Sequence, residues 1–213
     1  MKFIVYDIEV FRYDWIVVFY DTTEKQFHVY HNDSKRVAAF MDRPNQIFCG
    51  FNNKHYDNFI LAAIVKGASH AVIHHLNDFI IEEGGAGWDH YFIKKNRFWF
   101  PSFDLMDDTQ IGTSLKSIEA HLGWDIVETE VDFHINRPLT RAEIQSTVQY
   151  CKYDVTATVK LLQLRRGYLN TKLQLGAMKN IPAHTSLYST NAKITAQYLG
   201  AKRIDRDDGR DYV

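Results

Sequence analysis

Cysteine is nearly missing from this chain: Cys49 and Cys151 are the only two in 213 residues. With no C-x-x-C spacing, the pair argues against a disulfide scaffold and a zinc knuckle, and fits a reducing compartment. A surplus of charge is missing too. The 25 Lys and Arg against 26 Asp and Glu give a net charge of -1, which excludes attachment to nucleic acid or membrane by overall basicity and leaves local patches open. No apolar run approaches the roughly 20 residues that cross a bilayer, and the first residues enter a strand pattern with no signal peptide before them. Internal repeats and low-complexity segments are absent. These absences lead us to expect a soluble, cytoplasmic protein. Its hydrophobic share of 46% suffices for one buried domain with or without an appendage.

What is present begins with "KFIVYDIEVF", a strand pattern that carries two acids. Side chains alternate along a strand, so Asp7 and Glu9 share a face with Phe3 and Val5, while Ile4, Tyr6, Ile8 and Val10 face the other way. Two neighbouring carboxylates in a poorly hydrated site do not both ionise comfortably unless a cation stands between them. Strands over Lys2–Val10, Trp15–Tyr20 and Gln26–His31 are separated by links short enough for antiparallel hairpins. "SKRVAAFMD" reads as a short helix, Asn45–Phe51 as a buried strand, and Tyr56–Val65 as a helix stopping at Gly67. "GGAG" marks a turn, and "WDHYFIKKNRFWFPSFDL" suggests further strands around a hairpin. "SLKSIEAHLG" predicts a helix capped by Ser114 and stopped by Gly123. In "PLTRAEI", Thr140 and Glu143 form a capping box, with Leu139 and Ile144 spaced for a hydrophobic staple. Ile144, Val148, Cys151, Val155, Val159 and Leu162 then make an apolar stripe. One more helix is expected over Ser189–Leu199, ahead of a charged tail. The expected fold class is α/β: a mixed sheet, three antiparallel strands then parallel ones, flanked by helices on both faces.

Two further acids could join the first pair. Asp57 stands at a strand-to-helix junction, where ligands of open α/β sheets commonly bind; alone, it is equally explained as a charge at the positive end of a helix. Tyr150 and Asp154 lie four apart on one side of a helix, next to the buried stripe; alone, they read as a half-buried Tyr and a solvated Asp. One site holding Asp7, Glu9, Asp57 and Asp154 would offer the hard oxygen ligands that suit Mg²⁺ or Mn²⁺. Two such ions about 3.5–4 Å apart support phosphodiester cleavage.

"DIE" in the first strand, "GFNNKHYD" after the fourth and "YCKYD" in a late helix resemble, in order and context, the three motifs of the DnaQ-like 3′–5′ exonucleases. Tyr150, four residues before Asp154, resembles the DEDDy branch. More narrowly, "SFDLM", "SLKSIEAHLG" and "VDFHINRPLTRAEIQSTVQYCKYDV" resemble the N-terminal proofreading domain of phage-type DNA polymerases. The resemblance runs from about Met1 to Leu164 and implies a ribonuclease-H-like fold. It implies that Asp7, Glu9, Asp57 and Asp154 hold two Mg²⁺ or Mn²⁺ ions, with Glu9 also near the attacking water, and that Tyr150 orients that water. It places Asn52 near the terminal nucleotide or bracing its loop, with Phe51 and His55 among the substrate contacts. His55 departs from the pattern, since many relatives carry Asn there.

The activity implied is hydrolysis of single-stranded DNA from its 3′ end, releasing 5′-nucleotides, in a monomer without membrane contact, in the host cytoplasm if the source is a phage. Residues 1–180 would form the exonuclease domain, and residues 181–213 a C-terminal helix and tail leading to a polymerase body. Polymerase-type palm acids are absent from the sequence, and "TSLYST" only mimics one such segment, so a free-standing enzyme stays open. An RNA exonuclease of the same fold and a non-catalytic docking module are the alternatives. His70, His74 and His75 lack the further ligands of a zinc site and read as a polar helix face. "FIKKNRFWF" has the mix of a base-stacking surface and equally of a packed hairpin. Arg165 and Arg166 read as a solvated helix end. Asp104, Asp107 and Asp108 are explained by a turn or helix start.

Overall fold

β1 (Lys2–Val10) is the centre of the molecule's only described sheet. Its period of two decides the layering: Ile4, Tyr6, Ile8 and Val10 enter one core with Val17, Phe19 and Phe48, leaving Asp7 and Glu9 on the opposite face. β2 (Trp15–Asp21) returns antiparallel, with Val18 opposite Asp7 and Ile16 opposite Glu9, and β3 (Gln26–His31) continues the meander. After α1 (Ser34–Met41), β4 (Gln46–Gly50) pairs parallel to β1. Then follow α2 (Asp57–Val65), α3 (His70–Ile81) and α4 (Tyr91–Lys95), before β5 (Ser102–Asp104) adds parallel to β4. The strand order is β3-β2-β1-β4-β5. α5 (Leu115–His121) and the long α6 (Arg141–Leu164) complete this part of the chain.

The structure, a computed structural model, describes residues 2–109 and 113–201. It divides into two compact units, Met1–Leu164 and Arg165–Val213. In the first, α1, α2 and α3 cover the core face through Phe40, Ile60, Leu61, Ile64, Ile73 and Leu76. α6 packs on the other face, against β1 and β2. The mixed sheet with helices on both faces is the α/β arrangement expected.

The segment around residues 88–104 differs from the expected hairpin. α4 forms instead, its first turn capped by His90, whose Nδ1 accepts from the Phe92 N–H at 3.4 Å. Ile93 and Phe100 are buried, and Phe92 and Phe98 pack on the same core. Phe92, Phe98 and Phe100 are therefore spent on packing, whereas Trp88, Tyr91 and Trp99 are exposed, and only Ser102–Asp104 pairs as strand.

Several devices fix α6 against β1. Thr140 Oγ1 accepts from the Glu143 N–H (3.3 Å), and Glu143 Oε2 accepts from the Thr140 N–H (2.7 Å), the reciprocal capping expected. Arg137 clamps Glu143 and, through that hydrogen bond first, holds its carboxyl down at about 2. Leu139 packs with Phe11, Val131 and Ile144, and Phe11 stacks on Phe133 at 5.0 Å. Buried Asp14 takes the Leu139 N–H at 2.8 Å on one oxygen, with Asn32 Nδ2 (2.9 Å) and His31 Nε2 (2.6 Å) at the other.

The second unit holds α7 (Arg166–Ala177), α8 (Ala183–Tyr188) and α9 (Asn191–Leu199). Arg165 and Arg166 thus open a helix rather than ending one. Lys172 is buried and donates to the Leu187 carbonyl at 3.0 Å, tying α7 to α8. The expected C-terminal helix is present as α9, capped by Thr190 and stopped at Gly200 with φ 68°. The charged tail lies outside the described residues.

Candidate active site

Asp7 and Glu9 project from β1 towards α6. There Cys151, fully buried in the stripe, donates its S–H to Asp7 Oδ2 at 3.2 Å. One ligand atom each from Asp7, Glu9 and Cys151 lie within 4.8 Å of one another. Burial pushes the Asp7 carboxyl up to about 7; the negative charge of Asp154 adds to this, while the Cys151 and Ile8 hydrogen bonds oppose it. Burial and then the charges of Asp7, Asp154 and Asp57 push Glu9 well above the usual carboxylate range. The charges of Asp154 and Asp57, from two other segments, thus bear on Glu9, and that of Asp154 bears on Asp7 as well.

Asp57 opens α2 and is 5% exposed. Its Oδ1 has no hydrogen-bond partner among the described residues. Burial, then the charge of Asp7, drives its pKa strongly upward. Such a buried acceptor costs about 1–3 kcal/mol when left unmatched, so its placement is not explained by helix-dipole compensation alone.

The loop that delivers Asp57 is built from inside. Asp104, at the end of β5, accepts from the backbone N–H groups of Asn52 (2.8 Å), Lys54 (3.0 Å) and Met106 (2.9 Å). Asn52 takes a left-handed φ of 63°, which Asn tolerates better than most residues. Gly50 is required because a Cβ there would meet Asn53 Cβ at 2.7 Å. Asn53 is buried and donates to Tyr6 Oη (3.3 Å) and Asn58 Oδ1 (3.1 Å); Tyr6 also donates to Asn58. Asp104 is thus a loop anchor, and Asp107 pairs with Lys54, in keeping with the turn reading of both.

Asp154, 9% exposed, and half-buried Tyr150 sit one turn apart on α6. Burial and the charges of Asp154 and Glu9 raise the Tyr150 phenol far above its ordinary value, so it stays neutral. Lys116 of α5 reaches this pair: Nζ is 2.5 Å from Asp154 Oδ1, 3.5 Å from Glu119 Oε2 and 5.2 Å from the Tyr150 ring centre. Its charge also favours ionisation of Asp7 and Glu9.

The ligand atoms brought within 4.8 Å of one another are those of Asp7, Glu9 and Cys151, while Asp57 and Asp154 lie outside that group; a neutral phenol and one ammonium stand beside it. Asp7, Glu9, Asp57 and Asp154 have the donor chemistry for a hard divalent cation, and the unmatched Asp57 Oδ1 fits such an ion. Asn52 and His55 are exposed and Phe51 is half-buried. Among the described residues, no hydrogen bond or ring contact joins their side chains to the carboxylates.

Sequence reasoning passed over Lys116 and Glu119, which look like an ordinary helix pair at three-residue spacing, and took Cys151 as stripe alone. The signal for Cys151 was its position, one residue after Tyr150 on the same helix. His70, His74 and His75 do lie on α3, where His74 Nδ1 pairs with Asp78 at 2.9 Å. With Arg12 and Tyr13, α3 lines a cavity of about 710 Å³ apart from the acids. No family model, no curated protein and no solved structure matches this chain.

Proposed function

We propose that the protein is a divalent-cation-dependent 3′–5′ exonuclease of the DnaQ-like, DEDDy type, trimming single-stranded DNA ends as the proofreading part of a phage-type DNA polymerase. The observation that carries this reading is the Asp7–Glu9 pair on the central strand, clustered against Cys151 of α6, with buried Asp57 and Asp154 from two further segments bearing on it through their charge. The strand order, a three-strand meander followed by two parallel strands, supports the ribonuclease-H-like fold expected with it.

Asp7, Glu9, Asp57 and Asp154 would hold the cations. When bound, these would supply charge to the phosphoryl oxygens and lower the pKa of a nearby water. The chain's own groups do the rest. Tyr150, kept neutral, donates a hydrogen bond that orients the attacking water, a positioning role. Glu9 accepts a hydrogen bond from the same water, aligning it opposite the leaving 3′ oxygen. Lys116 balances charge at Asp154. Asn52 and His55, exposed on the loop ahead of Asp57, would meet the terminal nucleotides.

The test is digestion of 5′-labelled single-stranded DNA beside a matched RNA. With Mn²⁺ or Mg²⁺ the DNA should shorten stepwise from its 3′ end, EDTA should stop it, and the RNA should shorten more slowly. DNA left intact under these conditions overturns the enzyme reading in favour of a docking module. Faster loss of RNA reassigns the substrate, because the 2′-hydroxyl is the distinguishing handle.

A further inference from the structure

We propose that Cys151 makes the carboxylate cluster a soft-donor site, at which a thiophilic divalent cation such as Cd²⁺ or Zn²⁺ binds through Asp7, Glu9 and the Cys151 thiolate. The proposal rests on the cation-site reading above and adds the class of ion that the site holds most tightly. The geometry is its basis. Cys151 Sγ, Asp7 and Glu9 each present a ligand atom inside a 4.8 Å cluster, and Sγ already touches Asp7 Oδ2 at 3.2 Å. All three positions are fixed by regular structure: two on the central strand, and Cys151, itself fully buried, on α6. Asp57 adds an independent sign of a missing ligand. It is 95% buried, its charge bears on Glu9, and its Oδ1 lacks a hydrogen-bond partner among the described residues.

Hard oxygens select Mg²⁺ and Mn²⁺, whereas a thiolate adds preference for softer ions. Binding breaks the S–H bond and forms the sulfur–metal bond; the electron pair stays on sulfur and the proton leaves to solvent. No oxidant or reductant is involved. An ion held this way fixes Asp7 and Glu9 in a different ligand set from the oxygen-only one. It therefore competes with Mg²⁺ and suppresses Mg²⁺-supported hydrolysis. The other cysteine is not an alternative: Cys49 lies on β4, its sulfur against the Gly50 carbonyl at 4.0 Å.

The experiment is a Cd²⁺ titration of the intact, EDTA-treated and desalted protein, read by the sulfur-to-cadmium charge-transfer absorption. Wild type and Cys49→Ala should develop the band with saturation at one Cd²⁺ per chain. Cys151→Ser should lack it and bind Cd²⁺ at least tenfold more weakly. Cys151→Ala serves as the second variant, so that loss of fold in one does not decide the outcome. No band in wild type, or a band retained in Cys151→Ser, overturns the proposal. Equal Cd²⁺ affinity in wild type and variant does so too. Failure of the nuclease reading looks different: the Cd²⁺ band forms while DNA stays intact with Mn²⁺. The converse, Mn²⁺-dependent digestion without any Cd²⁺ band, leaves the nuclease reading and removes the soft-donor site.

Discussion

Asp7 is a carboxyl that resists ionisation, because burial and the charge of Asp154 act together on it. Its pKa rises from the ordinary carboxylate range to about 7, so between those values the folded, ion-free protein keeps a proton that the unfolded chain has lost. Stability must then fall as pH rises from about 4 to about 7. Glu9 and Asp57 are shifted in the same direction and add to the fall. Asp7→Asn should reduce this slope and raise the ion-free melting temperature at pH 8, while abolishing cleavage; thermal melts across pH and a digestion assay check both. Tyr150→Phe acts on a different quantity. It should slow cleavage by about 100-fold, within the range for a positioned proton-bridging side chain, and leave Mn²⁺ affinity unchanged in a parallel titration.

Among the elements, the helix α6 was the most legible in sequence, and the reasons are local. Thr140, Glu143, Leu139 and Ile144 sit within six residues, and their spacing is the capping signal itself. The tie that orients α6 on the sheet was not legible. Asp14 reaches the Leu139 N–H across 125 positions, and no local pattern announces that partner. Asp14→Ala strands a buried N–H and should cost about 1–3 kcal/mol, seen as a lower urea midpoint with an unchanged slope. β1 was legible because strict alternation separates Ile4, Tyr6 and Ile8 from Asp7 and Glu9. The segment around α4 was misread because its aromatics suit a strand as well as a packed helix–coil. What decided it was His90 capping the turn and Ile93 entering the core, both tertiary facts. Asp104 likewise looked like a turn residue, and its three backbone N–H contacts show that it shapes the loop carrying Asn52 and Asp57.

At the scale of the whole molecule, β1 at the middle of the order β3-β2-β1-β4-β5 brings its acids under α6, while the parallel β4 leads directly into the loop before Asp57. That topology is why carboxylates far apart in sequence sense one another. The acid types were readable from composition and spacing; the ammonium of Lys116 and the thiol of Cys151 beside them needed the fold. Among the described residues no helix is long and apolar enough to cross a membrane. With a net charge of -1, the proposed affinity for DNA would rest on local contacts and should weaken steeply with salt. Digestion should therefore be slow and distributive, leaving a broad spread of lengths on a labelled strand; long runs of cleavage on a few molecules at physiological salt would contradict this.

The central claim is that Asp7, Glu9, Asp57 and Asp154 form one cation site. A Mn²⁺ titration followed by the paramagnetic signal of the free ion, on wild type, Asp7→Ala and Asp154→Ala, tests it most directly. Two ions bound per wild-type chain, with binding lost or strongly weakened in both variants, is the predicted result. No binding in wild type, or equal binding in all three proteins, contradicts it.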